Sequence, residues 1–424
     1  MRTIPIPPGL ETRCFVLEEN ALAAVPEVLR REFPGKRPWL IADDNTFRAA
    51  GEALQKILCA AGLAPHAPFL YPGTPVLHAD YANVAPLRAA LPADAVPVAV
   101  GGGTVNDLVK RAAGEAQIAY CCIPTAPSVD GYSSSGAALT FRGLKQTMKC
   151  PAPRAIVADV AVLRHAPPAM AAAGYADLFA KVPAGAEWLI AETLGIEAVR
   201  GDVWDLVQKK LRRWLRDPAD LDGVFEGLAA TGYAMQMYGD SRPASGMEHL
   251  ASHVWEMEGV EASHGFKVGL GTLASTFLLE QFFALSRAEL QSMMTEPKSR
   301  AARECEVDQL LAKGVYGDAK AIAMAKFLDG DTLRERRQTV LDAWATLQAK
   351  VRAQIIPFRE TLAMLRRAGC PTAPAEIGLS DAAFLHGLHT AQLIRKRYTL
   401  LDLMEELGVL PAMLEKLKKE FPRG

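Results

Sequence analysis

The chain has 424 residues, with 47 lysines and arginines against 48 aspartates and glutamates, so its formal net charge is −1. This balance gives no electrostatic sign of binding to nucleic acid or to an anionic membrane surface. Half of the residues are hydrophobic, which is typical of a globular protein long enough for two or three cores. We expect no transmembrane segment and no signal peptide, and the seven cysteines lack C-x-x-C spacing, which favours reduced thiols in the cytoplasm.

Strand-like and helix-like segments alternate over the first third of the chain. Short apolar runs at residues 39–42, 95–100 and 118–124 predict buried strands, and the last strand-like segment covers 155–163. Buried strands separated by helical stretches indicate a parallel sheet covered by helices on both faces. From Pro167 onward the pattern is helical. We therefore predict an α/β domain over residues 1–165 and an all-α domain over residues 166–424.

A run of three glycines follows the predicted strand at 95–100 and precedes a helix that we expect to begin at Thr104. Glycines let a backbone approach a phosphate closely, and a helix N-terminus offers free N–H groups and a positive dipole end. The run is neither the G-x-G-x-x-G fingerprint nor a Walker loop, so a simple tight turn remains the alternative. Asp43 and Asp44, at the end of the strand at 39–42, are placed to accept from ribose hydroxyls or to cap a helix.

A hydroxyl-rich segment follows the third predicted strand and reads P-T-A-P-S-V-D-G-Y-S-S-S-G over residues 124–136. Loops at the carboxyl ends of strands line the ligand crevice of an open α/β sheet. We therefore expect this segment to contact a ligand.

Three of the eight histidines lie between residues 249 and 264. His249 and His253 are four residues apart, so they share one face of a helix, and His264 follows after a break. Neutral imidazole is the commonest protein ligand for zinc-like metals, and a carboxylate elsewhere would complete such a site. Spacing alone leaves a metal site and three unrelated histidines as equal alternatives.

Five motifs together resemble the glycerol-1-phosphate dehydrogenases of the iron-containing alcohol dehydrogenase and dehydroquinate synthase-like superfamily. They are G-G-G-T-V-N-D, P-T-A-P-S-V-D-G-Y-S-S-S, A-G-Y-A-D-L-F-A-K, S-R-P-A-S-G-M-E-H-L-A-S-H and H-G-F-K-V-G-L-G-T-L, in matching order over residues 40–275. The segment I-R-K-R-Y-T-L-L-D-L at 394–403 resembles a C-terminal family segment. The resemblance implies a Rossmann-like dinucleotide-binding domain followed by a helical metal- and substrate-binding domain.

The resemblance also assigns roles to individual residues. It implies that Asp177, His249 and His264 are metal ligands, and that His253 and Asp130 contact substrate. The catalytic set it implies is these three ligands with His253, and Asp177 also counts among the substrate contacts. The positions that it implies for the nicotinamide dinucleotide are Asp43 at the ribose, with Asp44 as the alternative, and Gly101, Gly102, Gly103, Thr104, Val105, Thr125, Ala126, Pro127, Ser128 and Ser134.

The implied reaction is the NAD(P)-linked interconversion of dihydroxyacetone phosphate and sn-glycerol 1-phosphate, with one divalent zinc, nickel or iron ion. A phosphorylated substrate needs cations, and the family's lysine-bearing loop favours Lys145 and Lys149 over the other candidates, which are Arg142, Arg242 and Lys267. Two alternatives remain, a dehydrogenase of an unphosphorylated polyol such as glycerol and a dehydroquinate synthase-like lyase. We expect the protein to form a homo-oligomer. We expect its small-molecule substrate to be a triose phosphate or a glycerol phosphate.

Overall fold

The computed structural model describes residues 2–141 and 144–422, with side chains from 146 onward in the second range. The strands are β1 Cys14–Glu18, β2 Arg37–Asp43, β3 Phe69–Tyr71, β4 Ala95–Gly101, β5 Cys121–Pro124, β6 Ala137–Phe141, β7 Leu144–Met148 and β8 Ala155–Asp159. The first ten helices are α1 Val25–Glu32, α2 Asp44–Thr46, α3 Glu52–Ala60, α4 Val84–Ala89, α5 Gly103–Glu115, α6 Val160–Arg164, α7 Pro168–Phe179, α8 Lys181–Thr193, α9 Gly201–Trp214 and α10 Leu221–Tyr238.

The remaining helices carry the C-terminal half of the chain. They are α11 Met247–Met257, α12 His264–Phe282, α13 Arg287–Met293, α14 Arg300–Leu310, α15 Ala319–Lys326, α16 Gly330–Asp342, α17 Trp344–Gln354, α18 Phe358–Arg367, α19 Asp381–Ala391, α20 Leu400–Glu406 and α21 Leu410–Glu420. Single 3₁₀ turns at Ala21–Ala24, Tyr81–Asn83, Asp130–Ser133, Arg242–Ala244 and Pro374–Ile377 and a π turn at Phe47–Gly51 complete the elements.

The chain forms two compact units, each made of two segments. The first unit comprises Met1–Leu178 and Arg212–Asp240, and the second comprises Phe179–Leu211 and Ser241–Gly424. All of the strands among the described residues lie in the first unit. The first unit also includes α10 from later in the chain, which packs on the 3₁₀ turn Asp130–Ser133.

The first unit is built on a six-stranded parallel sheet of order β1-β8-β5-β4-β2-β3. Every residue of β4 is buried, as expected of a central parallel strand with helices on both faces. Apolar side chains from five strands form one core with α1 and α3; they include Val16, Leu40, Val98, Ile123 and Val157. The sheet therefore confirms the α/β class that the apolar runs predict.

The strand order places a ligand crevice at β2 and β4. After β2 the chain moves outward to β3, then returns to β4 and continues through β5 to β8, so the order reverses between these two neighbours. Ligands of open α/β sheets bind outside the carboxyl ends of the strands at such a switch point. Here those ends are Asp43 and Gly101, both of which the family resemblance assigns to the dinucleotide site.

Two predicted elements differ in the structure. The segment at 155–163 is a strand only as far as Asp159, because the Asp159 carboxylate accepts from the main-chain N–H of Ala161 and caps α6. The lysine-bearing segment is not an irregular loop, since β6 and β7 pair as an antiparallel hairpin. Arg142 lies outside the described residues, and so does the side chain of Lys145.

The second unit is helical. Its central helix, α12, is buried on almost every side and has an apolar sequence all round, which is typical of a core helix. It packs on α11, which in turn packs on α19. Among the described residues no single helix is long and apolar enough to cross a membrane, and α12 with α13 meets that test only as a pair bent by 109°.

Candidate functional site

The glycine run forms the turn between β4 and α5. Gly102 is the N-cap of α5 in an extended conformation, and no side chain caps the helix there. A Cβ on Gly101 would lie 2.6 Å from the Val105 side chain, and one on Gly103 would lie 2.9 Å from Val129. A Cβ on Gly102 would meet no atom within 4 Å. The outer glycines therefore serve packing, while Gly102 presents bare backbone at the start of a helix, as a phosphate cradle requires.

The hydroxyl-rich segment is held against two helices of the first unit by glycines. A Cβ on Gly174 of α7 would lie within 1.6 Å of the Pro127 carbonyl oxygen, and one on Gly232 of α10 would lie 2.0 Å from the Ser133 hydroxyl. Neither position accepts a larger residue without displacing the loop. Within the loop the Tyr132 hydroxyl donates to the Ala126 carbonyl at 2.7 Å. The loop that carries the predicted dinucleotide contacts is thus fixed at several points along its length.

A buried lysine anchors the same segment from α5. The Lys110 side chain has no exposed surface, and its ammonium donates to the carbonyl oxygens of Gly131 at 2.7 Å and Gly136 at 2.9 Å. It also reaches the Asp107 carboxylate and the Ser134 hydroxyl, each at 3.4 Å. Several oxygens around one ammonium satisfy the donors of a buried lysine, which otherwise is expensive to bury.

The loop also contacts the predicted metal-ligating aspartate. Asp177 lies on α7 and is fully buried, and one of its carboxylate oxygens accepts from the main-chain N–H of Asp130 at 2.9 Å. A carboxylate offers two oxygens with about four acceptor sites, so a single hydrogen bond does not prevent a carboxylate from binding a cation. Two residues that the sequence marks separately, Asp130 and Asp177, are therefore in direct contact.

The three predicted histidines cluster in the second unit. His249 and His253 lie one turn apart on α11, and His264 is the first residue of α12. The ring centroids of His249 and His264 are 5.5 Å apart, and those of His253 and His264 are 5.9 Å apart. Burial and then the neighbouring His264 hold the pKa of His253 well below its usual value, so its imidazole is neutral. Neutral imidazole is also the form of histidine that binds metals.

One of these histidines has a carboxylate partner. His249 is 6% exposed, and its Nδ1 lies 2.8 Å from Oε1 of the fully buried Glu248. When Nδ1 donates to this oxygen, Nε2 is left with the lone pair that a metal needs. The resemblance implies no role for Glu248, and an acid in the first turn of a helix is too common to be noticed from sequence.

Two groups of described acids and histidines have the donor types of a metal site. The first is Asp177 with His249 and His264, and the second is Glu306 with His389 and Glu405. In the second group Lys298 lies 2.7 Å from each carboxylate, so those charges already have a cation. The second group is therefore the weaker candidate, and Asp177, His249 and His264 remain the ligands that the family resemblance implies.

The candidate phosphate-binding cations lie in different surroundings. Arg242 is buried and donates to the main-chain carbonyls of Tyr398 and Glu187, both at 2.9 Å. Lys267 is also buried and donates to the Val260 carbonyl at 3.3 Å. Both side chains therefore stabilise the helical unit itself. Lys149 follows the β6–β7 hairpin and is exposed, which leaves it accessible to an anion.

Comparison with known proteins gives the family. Residues 16–167 match the model of iron-containing alcohol dehydrogenase. A glycerol-1-phosphate dehydrogenase [NAD(P)+] of Bacillus licheniformis is 30% identical over 397 residues, which cover 90% of this chain and 86% of that protein. The chain belongs to the glycerol-1-phosphate dehydrogenase family of iron-containing alcohol dehydrogenases. The enzyme of the same name from Bacillus subtilis is 29% identical over 96% of this chain and 93% of its own length.

Solved structures confirm the fold of this family member. A probable glycerol dehydrogenase from Sinorhizobium meliloti has a TM-score of 0.60 at 15% identity, covering 95% of this chain and 97% of that one. A 2-deoxy-scyllo-inosose synthase, solved with carbaglucose-6-phosphate, NAD+ and Co2+, has a TM-score of 0.52 at 17% identity, covering 93% and 88%. The predicted dehydroquinate synthase-like architecture is confirmed.

Proposed function

We propose that the protein is a metal-dependent, NAD(P)-linked dehydrogenase that interconverts dihydroxyacetone phosphate and sn-glycerol 1-phosphate. The substrate assignment rests on the similarity, over nine-tenths of the chain, to a relative named for that reaction. The histidine cluster and the glycine turn at a switch point support the metal and the dinucleotide, respectively.

The residues fit a divalent metal. Asp177, His249 and His264 would hold it with one carboxylate and two neutral imidazoles, a set that suits zinc, nickel or ferrous iron. Three protein ligands leave coordination positions open, as in catalytic rather than structural sites. The bond between His249 Nδ1 and Glu248 supports this assignment, because metal-binding histidines almost always donate their other ring N–H to such a partner. A bound ion would supply a Lewis acid that polarises the ketone carbonyl.

The nucleotide would lie at the carboxyl end of the sheet. Gly102 and the N-terminus of α5 would receive the pyrophosphate, and the loop at 125–128 would line the same crevice. Asp43 already accepts from the main-chain N–H groups of Asn45 and Thr46 through one carboxylate oxygen, so it caps α2. Its other oxygen is the one that we assign to a ribose hydroxyl, and both roles suggested by the sequence are then compatible.

His253 is the residue that we assign to the substrate hydroxyl or to its proton. Its Nδ1 is buried and makes no hydrogen bond among the described residues, so that nitrogen has capacity for a substrate. A neutral imidazole carries one donor and one acceptor, which lets it hold a hydroxyl or pass on the proton that reduction of a ketone consumes. Burial, and to a smaller extent the adjacent His264, lower the pKa of His253 and keep it in this form.

Recognition of phosphate separates this proposal from a free-polyol dehydrogenase. Lys149, which is exposed, and Lys145 on β7 are the cations that we propose for the phosphate. Phosphate is remote from the reacting carbon, so its binding energy would orient the carbonyl and raise the rate as well as the affinity.

The test is a comparison of dihydroxyacetone phosphate with dihydroxyacetone, using NADH and NADPH and adding zinc, nickel or ferrous iron in turn. We expect a kcat/KM at least tenfold higher for the phosphorylated ketone and the sn-1 phosphate as product. Replacing Lys145 and Lys149 together with glutamine should narrow this ratio. The matched control replaces Lys209 and Lys210, two exposed lysines of α9, and should leave it unchanged.

Comparable kcat/KM values for the two ketones would replace this proposal with the free-polyol dehydrogenase. Substrate turnover with no net loss of NADH or NADPH, measured by nicotinamide absorbance, would favour the lyase.

A further inference from the structure

Glu248 is a fully buried carboxylate that forms hydrogen bonds near the start of α11. Its Oε1 accepts from the main-chain N–H of Gly246 at 2.6 Å and faces Nδ1 of His249 at 2.8 Å. The Gly246 N–H can only donate, so this oxygen acts as an acceptor, and the ring nitrogen beside it is the second donor. The side chain thus folds back over its own helix terminus instead of reaching solvent.

The local backbone makes room for this arrangement. A Cβ on Gly246 would lie 2.8 Å from Oε2 of Glu248 and 2.3 Å from Oε2 of Glu187, a second buried acid on α8. Any other residue at 246 would push these carboxylates aside. Glycine at this N-cap is therefore required by two buried side chains rather than by an unusual φ angle, since its φ is −127°.

The two carboxylates differ in what they bind. The oxygens of Glu187 accept from the main-chain N–H groups of Met247 at 2.9 Å and Leu400 at 3.1 Å, so Glu187 joins α8 to two other segments. Burial, and then the nearby Glu248, raise the pKa of Glu187 to about 8. Glu187 is therefore mostly protonated at neutral pH, and glutamine keeps its size and its lack of charge but offers one acceptor oxygen in place of two. Glu248 alone of this pair is hydrogen-bonded to a histidine of the cluster.

We propose that Glu248 is a positioning residue for His249, holding Nδ1–H so that Nε2 is the atom offered to the metal. This inference rests on the proposed function, because it assigns a role toward the ion that Asp177, His249 and His264 would hold. A carboxylate behind a ligating imidazole fixes its tautomer and orientation and raises its basicity. Without the carboxylate the ring can rotate or take the other tautomer, which places a proton on the ligand atom.

The experiment compares Glu248→Gln with Glu187→Gln, which removes a carboxylate from the same buried place without touching the histidine. Zinc affinity is measured by competition with a chelator, and Co2+ is used as a spectroscopic probe of the ligand field. We expect Glu248→Gln to weaken zinc binding by about 10- to 100-fold and to change the Co2+ visible spectrum. Glu187→Gln should keep zinc affinity within about threefold of the unmodified protein, a margin well under the 1.4 kcal/mol of a tenfold change.

A second measurement needs no substitution at Glu248. In the metal-free protein labelled with ¹⁵N-histidine, with His249→Gln used for assignment, His249 should be the Nδ1–H tautomer. A dominant Nε2–H tautomer would overturn the inference even if Glu248→Gln fails to fold.

The outcomes separate the inference from the function on which it rests. Equal zinc affinity in Glu248→Gln and in the unmodified protein would refute the positioning role and leave the metal site standing. Equal losses in both glutamine variants would also refute it, because the effect would then come from general packing. Failure of the unmodified protein to bind any of the divalent ions would refute the proposed metal site as well.

Discussion

The main-chain N–H of Asp130 donates to the carboxylate of Asp177 across 2.9 Å, which ties the hydroxyl-rich loop to the buried helix α7. The same loop is held by Lys110 from α5. A change in the position of the loop would therefore alter the environment of Asp177, the acid that we assign to the metal. The hydroxyl-rich loop and Asp177 are therefore structurally coupled within the first unit. Variants of either should be tested for both metal and dinucleotide binding.

Replacing His249 or His264 with alanine should abolish retention of the metal and turnover, because two protein ligands are too few to hold a divalent ion. His253→Ala should retain the metal and lose rate, since we assign His253 to the substrate. Elemental analysis of the three purified variants, with circular dichroism to verify the fold, gives the answer. Full metal occupancy in His249→Ala and His264→Ala would refute the ligand assignment.

The sequence predicts the parallel sheet well because buried strands have a local pattern, whereas the site residues are assigned by the family resemblance and stay a prediction. Val98 lies in a run of apolar residues and is buried in a parallel strand, as such runs predict. The β6–β7 hairpin escapes prediction because each strand has only five residues and neither shows a strict alternation of apolar and polar residues.

The supporting residues of the site could not be found in the same way. Lys110 and Glu248 have no exposed surface, yet in the sequence each is an ordinary charged residue of a helix. Their burial is decided by partners far along the chain or by a backbone turn, such as the carbonyls of Gly131 and Gly136 for Lys110. The glycines in the middle of α7 and α10, Gly174 and Gly232, offer a signal of close approach that sequence alone could have used.

Gly102→Val should weaken binding of NADH at least tenfold, or about 1.4 kcal/mol, with little effect on the fold. The backbone at Gly102 has a φ of −76° and a ψ of −171°, which a branched residue can adopt, and its Cβ would meet no protein atom. The side chain would instead cover the N–H groups at the start of α5. Fluorescence titration with NADH and thermal unfolding test both parts.

Gly101→Ala is the control for the glycine turn. Its Cβ would lie 2.6 Å from the Val105 side chain, so it should lower the unfolding midpoint as well as NADH affinity. If Gly102→Val binds NADH as tightly as the unmodified protein does, the turn is not the phosphate cradle.

Glu406→Gln should stabilise the protein more at pH 8 than at pH 5. Burial raises the pKa of Glu406 to about 7, above its value in the unfolded chain, and its carboxylate accepts from the Tyr398 hydroxyl. Below the unfolded pKa both states are protonated and there is no penalty. As pH rises toward 7 the unfolded chain loses the proton first, so stability falls and then levels off.

The free energy of unfolding of Glu406→Gln, relative to that of the unmodified protein, should increase by about 2 kcal/mol between pH 5 and pH 8 when measured with urea. The control is Glu405→Gln, whose parent carboxylate pairs with Lys298 at 2.7 Å and Arg303 at 3.1 Å. That variant should lose stability at both pH values. A difference for Glu406→Gln that does not depend on pH would contradict the assigned pKa.

Lys110→Met should destabilise the protein by about 3 kcal/mol, because it removes a buried cation and leaves the Asp107 carboxylate and two carbonyl oxygens without that donor. It should also weaken NADH binding, since the loop at 125–134 loses its anchor on α5. Lys326→Met is the matched control in the second unit: Lys326 donates to the Gln392 carbonyl and to the Asp402 carboxylate at 2.6 Å. Both variants should lose stability in urea, but only Lys110→Met should lose NADH affinity at a temperature where both are folded. Equal NADH affinity in the two variants would show that Lys110 serves the fold alone.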